Sequence, residues 1–326
     1  MQLLFAPLRG VTDAAFRTAH ARHFGGFDAA LAPFLDAHHG PNLRERDLED
    51  VSPNANPLLK TVPQILSADP HQFVAWSRLL ADRGATEVNW NLACPYPMVV
   101  KRGRGAGLLP YPARIAAFLE VVCAQVTLSL SVKTRLGLLH SDELPLVLEV
   151  LGQYPVVSVA VHARTAKQMY SGKADVGAFV TATANAKMPV IYNGDITSAA
   201  RLASLRARLP TIDRWMVGRG AVADPLLPLR LRDPTALRGQ EISRLRAFLA
   251  DLLEHYQRTQ QGPGHVLSKL HALWTWLGPS FAPAHRRTVR AIAKVDDLRR
   301  YRSLVDELLE CPGSWAPPND SASSAR

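Results

Sequence analysis

Residues 87–109, EVNWNLACPYPMVVKRGRGAGLL, decide how the rest of the chain is interpreted. Their first six residues alternate apolar with polar side chains, which predicts a β-strand that ends near Leu92. Cys94 follows the strand, and Pro95 and Pro97 turn the chain into a loop because proline cannot continue the hydrogen-bonded ladder. Three basic residues then lie among glycines. We therefore expect a flexible, cationic segment beside a reactive thiol at a strand end.

The composition favours a globular protein with an anionic partner. The 326 residues exceed one typical domain but suit an α/β barrel with an appendage, and 47% of them are hydrophobic. The formal charge of +10 favours nucleic acid or an anionic cofactor, although basicity can also serve solubility alone. Three cysteines argue against a disulfide framework and for a reducing, cytoplasmic location. We expect no signal segment, no membrane span and no metal site.

Short apolar runs alternate with amphipathic stretches, which predicts a parallel sheet of eight strands. The predicted strands are residues 2–6, 28–34, 62–66, 87–92, 129–135, 156–163, 189–193 and 214–218. The helical patterns between them include residues 13–24, 69–84, 112–126 and 197–209. Asp69 and Thr197 are the expected N-caps. Eight such repeats predict a TIM (β/α)8 barrel, while residues 36–60 are expected to form a long surface loop.

From about Glu241 the strand signal stops and amphipathic helical patterns follow, which predicts a small C-terminal helical-bundle domain after the barrel. The expected parts are a barrel at 1–238, a helical domain at 239–312 and a disordered tail at 313–326. Within the helical part, Arg286, Arg290 and Lys294 recur every four residues and should share one helical face. That face is either simply solvated or in contact with a phosphate backbone.

The carboxyl ends of the predicted strands are polar, and barrel enzymes place their active sites there. Polar residues often follow strands into loops, but so many at one rim favour a single site. The ends carry Pro7-Leu8-Arg9, Gln64, Asn91 with Cys94, Lys133 with Arg135, His162 with Arg164, Asn193-Gly194-Asp195 and Gly218-Arg219-Gly220.

The chemistry of these side chains indicates a cofactor with a phosphate and a heterocyclic ring. Gly218-Arg219 precedes a helix at the eighth strand, where barrels commonly bind phosphate. Gln64 and Asn91 offer amides that suit a ring edge. Lys133 could place a cation beside an electron-rich ring or could reach the surface instead. With Cys94 as a general acid, the set favours flavin mononucleotide (FMN) and addition of hydrogen across an activated double bond.

The order and spacing of these motifs resemble those of tRNA-dihydrouridine synthases over nearly the whole chain. The matching segments are APLRGVTD (6–13), NLACPYPMVVKRGRGAGLL (91–109), SVKTRLG (131–137), VHARTAKQMYSG (161–172), PVIYNGDI (189–196) and VGRGA (217–221). The resemblance implies an FMN-dependent barrel with a helical domain that reduces the C5–C6 bond of a tRNA uridine with NADPH. Hydride would pass from flavin N5 to C6, and Cys94 would protonate C5.

The resemblance also implies residue roles and a monomeric enzyme. FMN would be held by Pro7, Leu8, Arg9, Gln64, Lys133, His162, Asn193, Gly194, Asp195, Gly218 and Arg219. Asn91 would contact the uracil. The RNA would face Lys101, Arg164, Lys167, Tyr170, Arg286 and Arg290.

Some positions depart from the family pattern. Leu8 replaces the usual methionine, Ala93 and Ala163 replace glycines, and Tyr96-Pro97 follows the cysteine motif. The long loop before the third strand and the helical segment most resemble the C-type bacterial branch, whose target is a D-loop uridine, with position 16 as the candidate. Two other functions stay open: an FMN barrel reductase for a small molecule and a catalytically silent RNA-binding relative.

Overall fold

The structure, a computed structural model, describes residues 1–36, 43–236 and 238–317. Its strands form one parallel sheet of ten members in the order β3-β5-β6-β7-β8-β9-β10-β1-β2-β4. The strands are β1 Gln2–Phe5, β2 Ala29–Leu31, β3 Leu35–Asp36, β4 Thr61–Val62, β5 Gln64–Leu66, β6 Glu87–Leu92, β7 Ser129–Gly137, β8 Val156–Thr165, β9 Val190–Asn193 and β10 Arg214–Val217. The α/β fold with a parallel sheet is therefore confirmed.

Ten strands arise from eight predicted ones because two segments are each split. The second predicted strand, residues 28–34, contains only β2, and β3 begins just past its predicted end. The third is interrupted at Pro63, between β4 and β5. Proline lacks the N–H that a continuous ladder needs, which explains the second break. Both halves stay paired, since β2 pairs with β4 and β3 pairs with β5.

The helices fill the gaps between strands and continue to the C-terminal part. They are α1 Ala14–His23, α2 Glu45–Asp50, α3 Pro70–Asp82, α4 Pro97–Lys101, α5 Pro112–Gln125, α6 Glu143–Leu151, α7 Val176–Thr183, α8 Ala199–Arg208, α9 Arg219–Ala223, α10 Leu227–Arg230, α11 Glu241–Thr259, α12 Pro263–Leu277, α13 Arg286–Ile292 and α14 Leu298–Glu310. Within the described residues there are also three short 3₁₀ helices, Gly105–Leu108, Gly278–Ser280 and Pro283–His285.

One predicted helix cap is confirmed and the other is wrong. The Asp69 carboxylate accepts hydrogen bonds from the first backbone N–H groups of α3, and Pro70 occupies the first helical position. At α8 the helix begins at Ala199, and the Ser198 hydroxyl accepts from the backbone N–H of Arg201 at 3.0 Å. Ser198 therefore takes the capping position that we expected for Thr197, one residue earlier, because the helix starts later than its apolar pattern.

Residues 36–60 are not the plain surface loop that the sequence predicted. They contain α2, and Leu48 and Asn56 are buried. The Asn56 amide donates to the backbone oxygens of Asp50 and Ser52 at 3.0 and 2.8 Å, which fixes the turn after α2. Residues 37–42 of this segment lie outside the described residues.

Contacts divide the chain into two compact units. The first unit comprises Met1–Pro7, Asp28–Asp195 and Leu205–Met216, and so holds the sheet up to Met216. The second comprises Leu8–Phe27, Ile196–Ser204 and Val217–Arg326. Within the second unit α1 packs on α11, where Phe16 and Phe24 both meet the ring of Phe248 edge-on.

The structure of the second unit shows that two further predictions were wrong. The pattern at 285–310 is two helices, because α13 ends at Ile292 and Asp297 caps α14, so Lys294 lies outside the face of Arg286 and Arg290. The predicted disordered tail begins too early, since the backbone of residues 314–316 is hydrogen-bonded to that of residues 280–282. Residues 318–326 lie outside the described part of the chain.

Over the described ranges, no single helix is long and apolar enough to cross a bilayer. The helical stretches Pro97–Leu108 and Pro112–Gln125 together reach that length and composition, but they bend by 78° at the break between them.

Candidate active site

The register of the sheet places the predicted polar residues of the first unit on one face. Residues paired across parallel strands point to the same side, and side chains two apart along a strand share a face. The pairs are Gln64 with Asn89, Asn91 with Lys133, Arg135 with His162 and His162 with Asn193. Most of the alternate residues are apolar and turn to the helices, where Trp90 stacks on Phe118 at 3.8 Å between ring centroids. Burial of this apolar face therefore forces the polar side chains together on the other face.

Cys94 lies just beyond β6 and is held by its neighbours. It is 5% exposed, and its backbone N–H donates to Asn91 Oδ1 at 2.9 Å. The 3₁₀ helix Gly105–Leu108 packs directly on it, since a Cβ at Gly105 would lie 2.9 Å from Cys94 Cβ. Gly105 also has φ +55°, a conformation that favours glycine. The glycines of this segment thus permit close packing in a buried helix, and the expectation of a flexible segment was wrong.

Lys133 is a buried cation on the polar face. It is 8% exposed, and among the described residues it makes no hydrogen bond or ion pair. Burial, with a smaller contribution from the nearby charge of Arg135, lowers the pKa of Lys133 to about 7, while Cys94 acts in the opposite direction. An anionic or electron-rich ligand at this place would restore the charged form.

Arg135 is a buried clamp to which the sequence gave no function. Its Nε donates to the backbone oxygen of Ala93 at 2.9 Å, and its NH1 donates to those of Thr165 and Met169 at 2.9 and 2.8 Å. Its guanidinium lies 5.4 Å from the centre of the Tyr170 ring. Burial lowers its pKa to about 10. Arg135 therefore fixes the residue before Cys94 to the loop after β8. Because residues two apart on a strand share a face, the alternation that predicts an inward-facing Lys133 also predicts an inward-facing Arg135.

Arg164 was expected to face the RNA, and this expectation was wrong. The residue is 2% exposed, and its NH2 donates to both carboxylate oxygens of Asp195 at 2.9 and 2.7 Å. Nε and NH2 also donate to the backbone oxygens of Ser171 and Gly172. Its remaining contact, NH1 to His162 Nε2 at 3.1 Å, requires Nε2 to accept, so the neutral His162 ring carries its proton on Nδ1.

Three features constrain the backbone at the end of β9. Asn193 Nδ2 donates to the backbone oxygen of Met216 at 2.8 Å. Gly194 has φ +153°, and a Cβ there would lie 2.9 Å from the Cβ of Ala174. Asp195 has φ +46° and accepts from the backbone N–H of Ala174 at 2.8 Å as well as from Arg164. Asp195 thus acts here as a structural anchor of the loop.

Other predicted cofactor residues lie partly in the second unit. Pro7 ends the first segment of the first unit and is half-buried. In the second unit the Leu8 N–H donates to Thr12 Oγ1 at 2.8 Å in a tight turn that leaves Arg9 exposed. Gly218 directly precedes α9, which starts at Arg219 and has only five residues.

The predicted RNA-facing residues other than Arg164 are exposed. They are Lys101, Lys167 and Tyr170 in the first unit and Arg286 and Arg290 in the second. Arg104, from the cationic segment after Cys94, is different. It forms a partly buried ion pair with Asp36 at 2.8 Å.

Comparisons with known proteins decide the family. A family model described as dihydrouridine synthase matches residues 4–307. The chain belongs to the dihydrouridine synthase family. This confirms the family expected from the motifs. The chain is 30% identical to the tRNA-dihydrouridine(16) synthase of Ralstonia nicotianae, over 97% of this chain and 99% of that one. It is 29% identical to tRNA-dihydrouridine synthase B of Shewanella oneidensis, over 69% of each chain.

Solved structures support the fold of this dihydrouridine synthase. An old yellow enzyme homologue from Zymomonas mobilis matches with a TM-score of 0.53 and 12% identity, over 72% of this chain and 88% of that one. Morphinone reductase in complex with tetrahydroNAD matches with a TM-score of 0.51 and 11% identity, over 72% and 87%. At these identities the likeness concerns the α/β fold alone.

The residues on the polar face fit a flavin, the cofactor that the family implies. Lys133 offers a buried ammonium with no hydrogen-bond acceptor among the described residues. Gln64 and Asn91 each use one amide N–H within the chain and retain the second. Buried donors and a cation of this kind suit a ring that carries carbonyl oxygens and takes up negative charge on reduction.

Proposed function

We propose that this protein reduces the C5–C6 double bond of a uridine in tRNA to dihydrouridine, with FMN and NADPH. The observation that carries the proposal is the position of Cys94 in a dihydrouridine synthase chain. Its backbone is fixed by Asn91, and Lys133 and Arg135 both interact with it electrostatically. When bound, FMN would be the source of the hydride that adds to C6, and NADPH would reduce the flavin again.

Cys94 acts as the general acid in this proposal. Its thiol donates a proton to C5 and becomes a thiolate. The two buried cations stabilise that anion, because each lies close enough to Cys94 for its own pKa to respond. Asn91 contacts the uracil from the end of β6, and Arg135 holds the backbone of Ala93 still while the proton moves.

The cofactor roles follow the family pattern. In the first unit Pro7, Gln64, Lys133, His162, Asn193 and Gly194 bind FMN. Asp195 keeps its expected role as a cofactor-binding residue and also supports the others through its contacts with the loop. Leu8, Arg9, Gly218 and Arg219, which belong to the second unit, keep the same expected role as cofactor-binding residues.

The RNA-binding role rests on exposed basic and aromatic residues. Lys101, Lys167 and Tyr170 are exposed on the first unit, and Arg286 and Arg290 are exposed on the second. Phosphate contacts position an RNA without reading its sequence. The uridine at position 16 is the proposed target, because the Ralstonia nicotianae relative that bears this number in its name aligns over 97% of this chain.

The sheet is proposed to close into an eight-stranded TIM barrel. If β2 and β3 count as one strand and β4 and β5 as another, the two ends of the strand order join through the β2–β4 and β3–β5 pairs. A barrel domain over 1–238, a helical RNA-binding domain over 239–312 and a monomer complete this proposal.

The deciding experiment compares bulk tRNA from cells with and without the gene and records the visible spectrum of the purified protein. A flavin spectrum and loss of dihydrouridine at one D-loop position would support the proposal and identify the position. A flavin spectrum with unchanged tRNA would favour a small-molecule reductase. A colourless protein that binds tRNA would favour a catalytically silent RNA-binding relative.

A point variant tests the role of Cys94 as the general acid. Cys94→Ala should keep bound flavin and tRNA affinity but reduce uridine about 100-fold more slowly, since a positioned acid contributes about that much or more. Cys123→Ala, which removes a partly buried thiol from α5, is the matched control and should retain full activity. Normal turnover by Cys94→Ala would show that another group donates the proton.

A further inference from the structure

Four buried polar side chains form a continuous hydrogen-bonded chain that ends at the backbone of Cys94. The chain starts on β7 and crosses β6 and β5. Ser131 Oγ accepts from Asn89 Nδ2 at 3.0 Å, Asn89 Oδ1 accepts from Gln64 Nε2 at 2.7 Å, Gln64 Oε1 accepts from Asn91 Nδ2 at 2.8 Å, and Asn91 Oδ1 accepts from the N–H groups of Ala93 and Cys94 at 2.9 Å each. All four side chains are buried.

The two backbone donors fix the direction of every amide in this chain. A backbone N–H can only donate, so the Asn91 atom that faces it must be oxygen, and Asn91 therefore presents nitrogen to Gln64. Gln64 must therefore accept this hydrogen bond with its oxygen, which leaves its nitrogen to donate to Asn89. Asn89 in turn presents nitrogen to Ser131, whose hydroxyl can accept. A reversed amide anywhere would set two donors or two acceptors face to face.

This order decides what the two predicted ligand-binding amides can offer. The Asn91 oxygen already accepts two hydrogen bonds, which uses both of its lone pairs, so toward a ligand Asn91 can only donate. Gln64 retains one N–H, on the nitrogen that Asn89 holds, and also one lone pair on its oxygen, which accepts from Asn91 alone. A carbonyl oxygen is the group that suits the remaining N–H of both amides.

We propose that Asn89 and Ser131 are positioning residues, which hold the amides of Gln64 and Asn91 with an N–H directed to the carbonyl oxygens of a bound heterocycle. Neither residue touches the ligand. Asn89 acts by accepting from Gln64, and Ser131 acts by accepting from Asn89. The identity of the heterocycles as flavin and uracil rests on the proposed function, whereas the chain of hydrogen bonds does not.

Two pairs of variants of the full-length protein test this role. Ser131→Ala removes the last acceptor, and Ser158→Ala is its control, because Ser158 is also buried and pairs with Ser131 in the register but has no part in the chain. Asn89→Leu removes the acceptor for Gln64. Asn89→Asp keeps it, since one carboxylate oxygen faces Gln64 while the Ser131 hydroxyl turns to donate to the other.

The measurements are urea unfolding, FMN affinity of the flavin-free protein, and kcat and KM with tRNA. Ser131→Ala should raise the unfolding equilibrium constant and the Kd for FMN about fivefold relative to Ser158→Ala, the usual effect of one unpaired buried donor. Asn89→Leu should raise the Kd for FMN about tenfold or more and lower kcat more than it raises KM, because a wrongly turned amide affects reaction geometry. Asn89→Asp should bind FMN within about twofold of wild type, although its buried carboxylate makes it less stable.

The last comparison separates positioning from mere stability. If the two residues only stabilised the fold, FMN affinity would follow stability, and Asn89→Asp would bind no better than Asn89→Leu. That result, or identical behaviour of Ser131→Ala and Ser158→Ala, would overturn the positioning role alone. A wild-type protein that takes up no FMN would overturn the proposed function together with it.

Discussion

Replacing Lys133 by methionine should stabilise the flavin-free protein, most strongly at and below neutral pH. Lys133 is 8% exposed and has no hydrogen-bond acceptor among the described residues, so folding moves an ammonium from water into a poorly solvated place. Methionine has a similar length and no charge, and it fills irregular space well. The variant therefore removes the desolvation penalty without opening a large cavity.

The size of this stabilisation follows from the pKa of Lys133, which folding lowers from 10.5 to about 7. A fall of about 3.5 corresponds to a penalty of at most about 5 kcal/mol, and relaxation of the site reduces it to about 2–5 kcal/mol. The sign follows from proton linkage. Between pH 7 and 10.5 the unfolded chain binds the proton and the folded chain does not, so the wild type gains stability as pH rises. The penalty is complete below pH 7 and vanishes near pH 10.5.

The assay is urea unfolding of both flavin-free proteins at several pH values from about 6.5 to 9.5. The advantage of Lys133→Met should shrink by about 1.4 kcal/mol for each pH unit above neutrality. Lys173→Met is the control, because Lys173 is exposed in the same unit and the same substitution there should give no such trend. A stability difference that did not depend on pH would refute the argument, since it would mean that the lysine is not desolvated.

Two further substitutions test packing and charge near the site. Gly105→Ala should destabilise the protein by about 2–4 kcal/mol and alter the alkylation rate of Cys94, because its Cβ would lie 2.8 Å from the Cys94 carbonyl oxygen. Gly103→Ala is the control: Gly103 also has a positive φ, but its added Cβ would meet only the flexible end of an arginine at 3.3 Å. It should therefore lower the free energy of unfolding by only about 1–2 kcal/mol. Equal losses for the two variants in urea unfolding would contradict the close packing at Gly105. Asp195→Asn should lower the free energy of unfolding by about 3 kcal/mol, because it leaves the buried charge of Arg164 without its carboxylate. It should also expose the loop after β8 to proteolysis. Asp213→Asn, at an exposed carboxylate, should change neither quantity, and an unchanged Asp195→Asn protein would show that this ion pair does not hold the loop.

Local sequence was sufficient wherever the determining interaction is short in range. The period of two in SLSVKTR places Lys133 and Arg135 on one face of β7, and the alternate residues Leu130, Val132 and Thr134 are buried on the other. Asp69-Pro70 marks the start of α3 because a carboxylate and a proline satisfy the free N-terminal groups of a helix. The break between α13 and α14 could also have been found, since Asp297 is a capping residue within the pattern.

The functions of individual polar residues depended on partners that are distant in sequence. The local sequence around Arg164 predicts an exposed cation because its partner, Asp195, lies on the loop after the next strand. The glycines after Cys94 read as flexible because the backbone they pack against comes from the preceding loop. The period of two places Asn89 and Ser131 on the polar face but does not show their importance, which lies in a chain of hydrogen bonds across three strands.

The sequence by itself determined the strands, most of the helices, the family and the side of the sheet on which the chemistry lies. These depend on periodicity, capping and motif order, which are properties of neighbouring residues. Only the tertiary structure decided which charges are paired and which N–H each amide retains. Burial removes water as an alternative partner, so the direction of each buried hydrogen bond is decided by the neighbours that folding supplies.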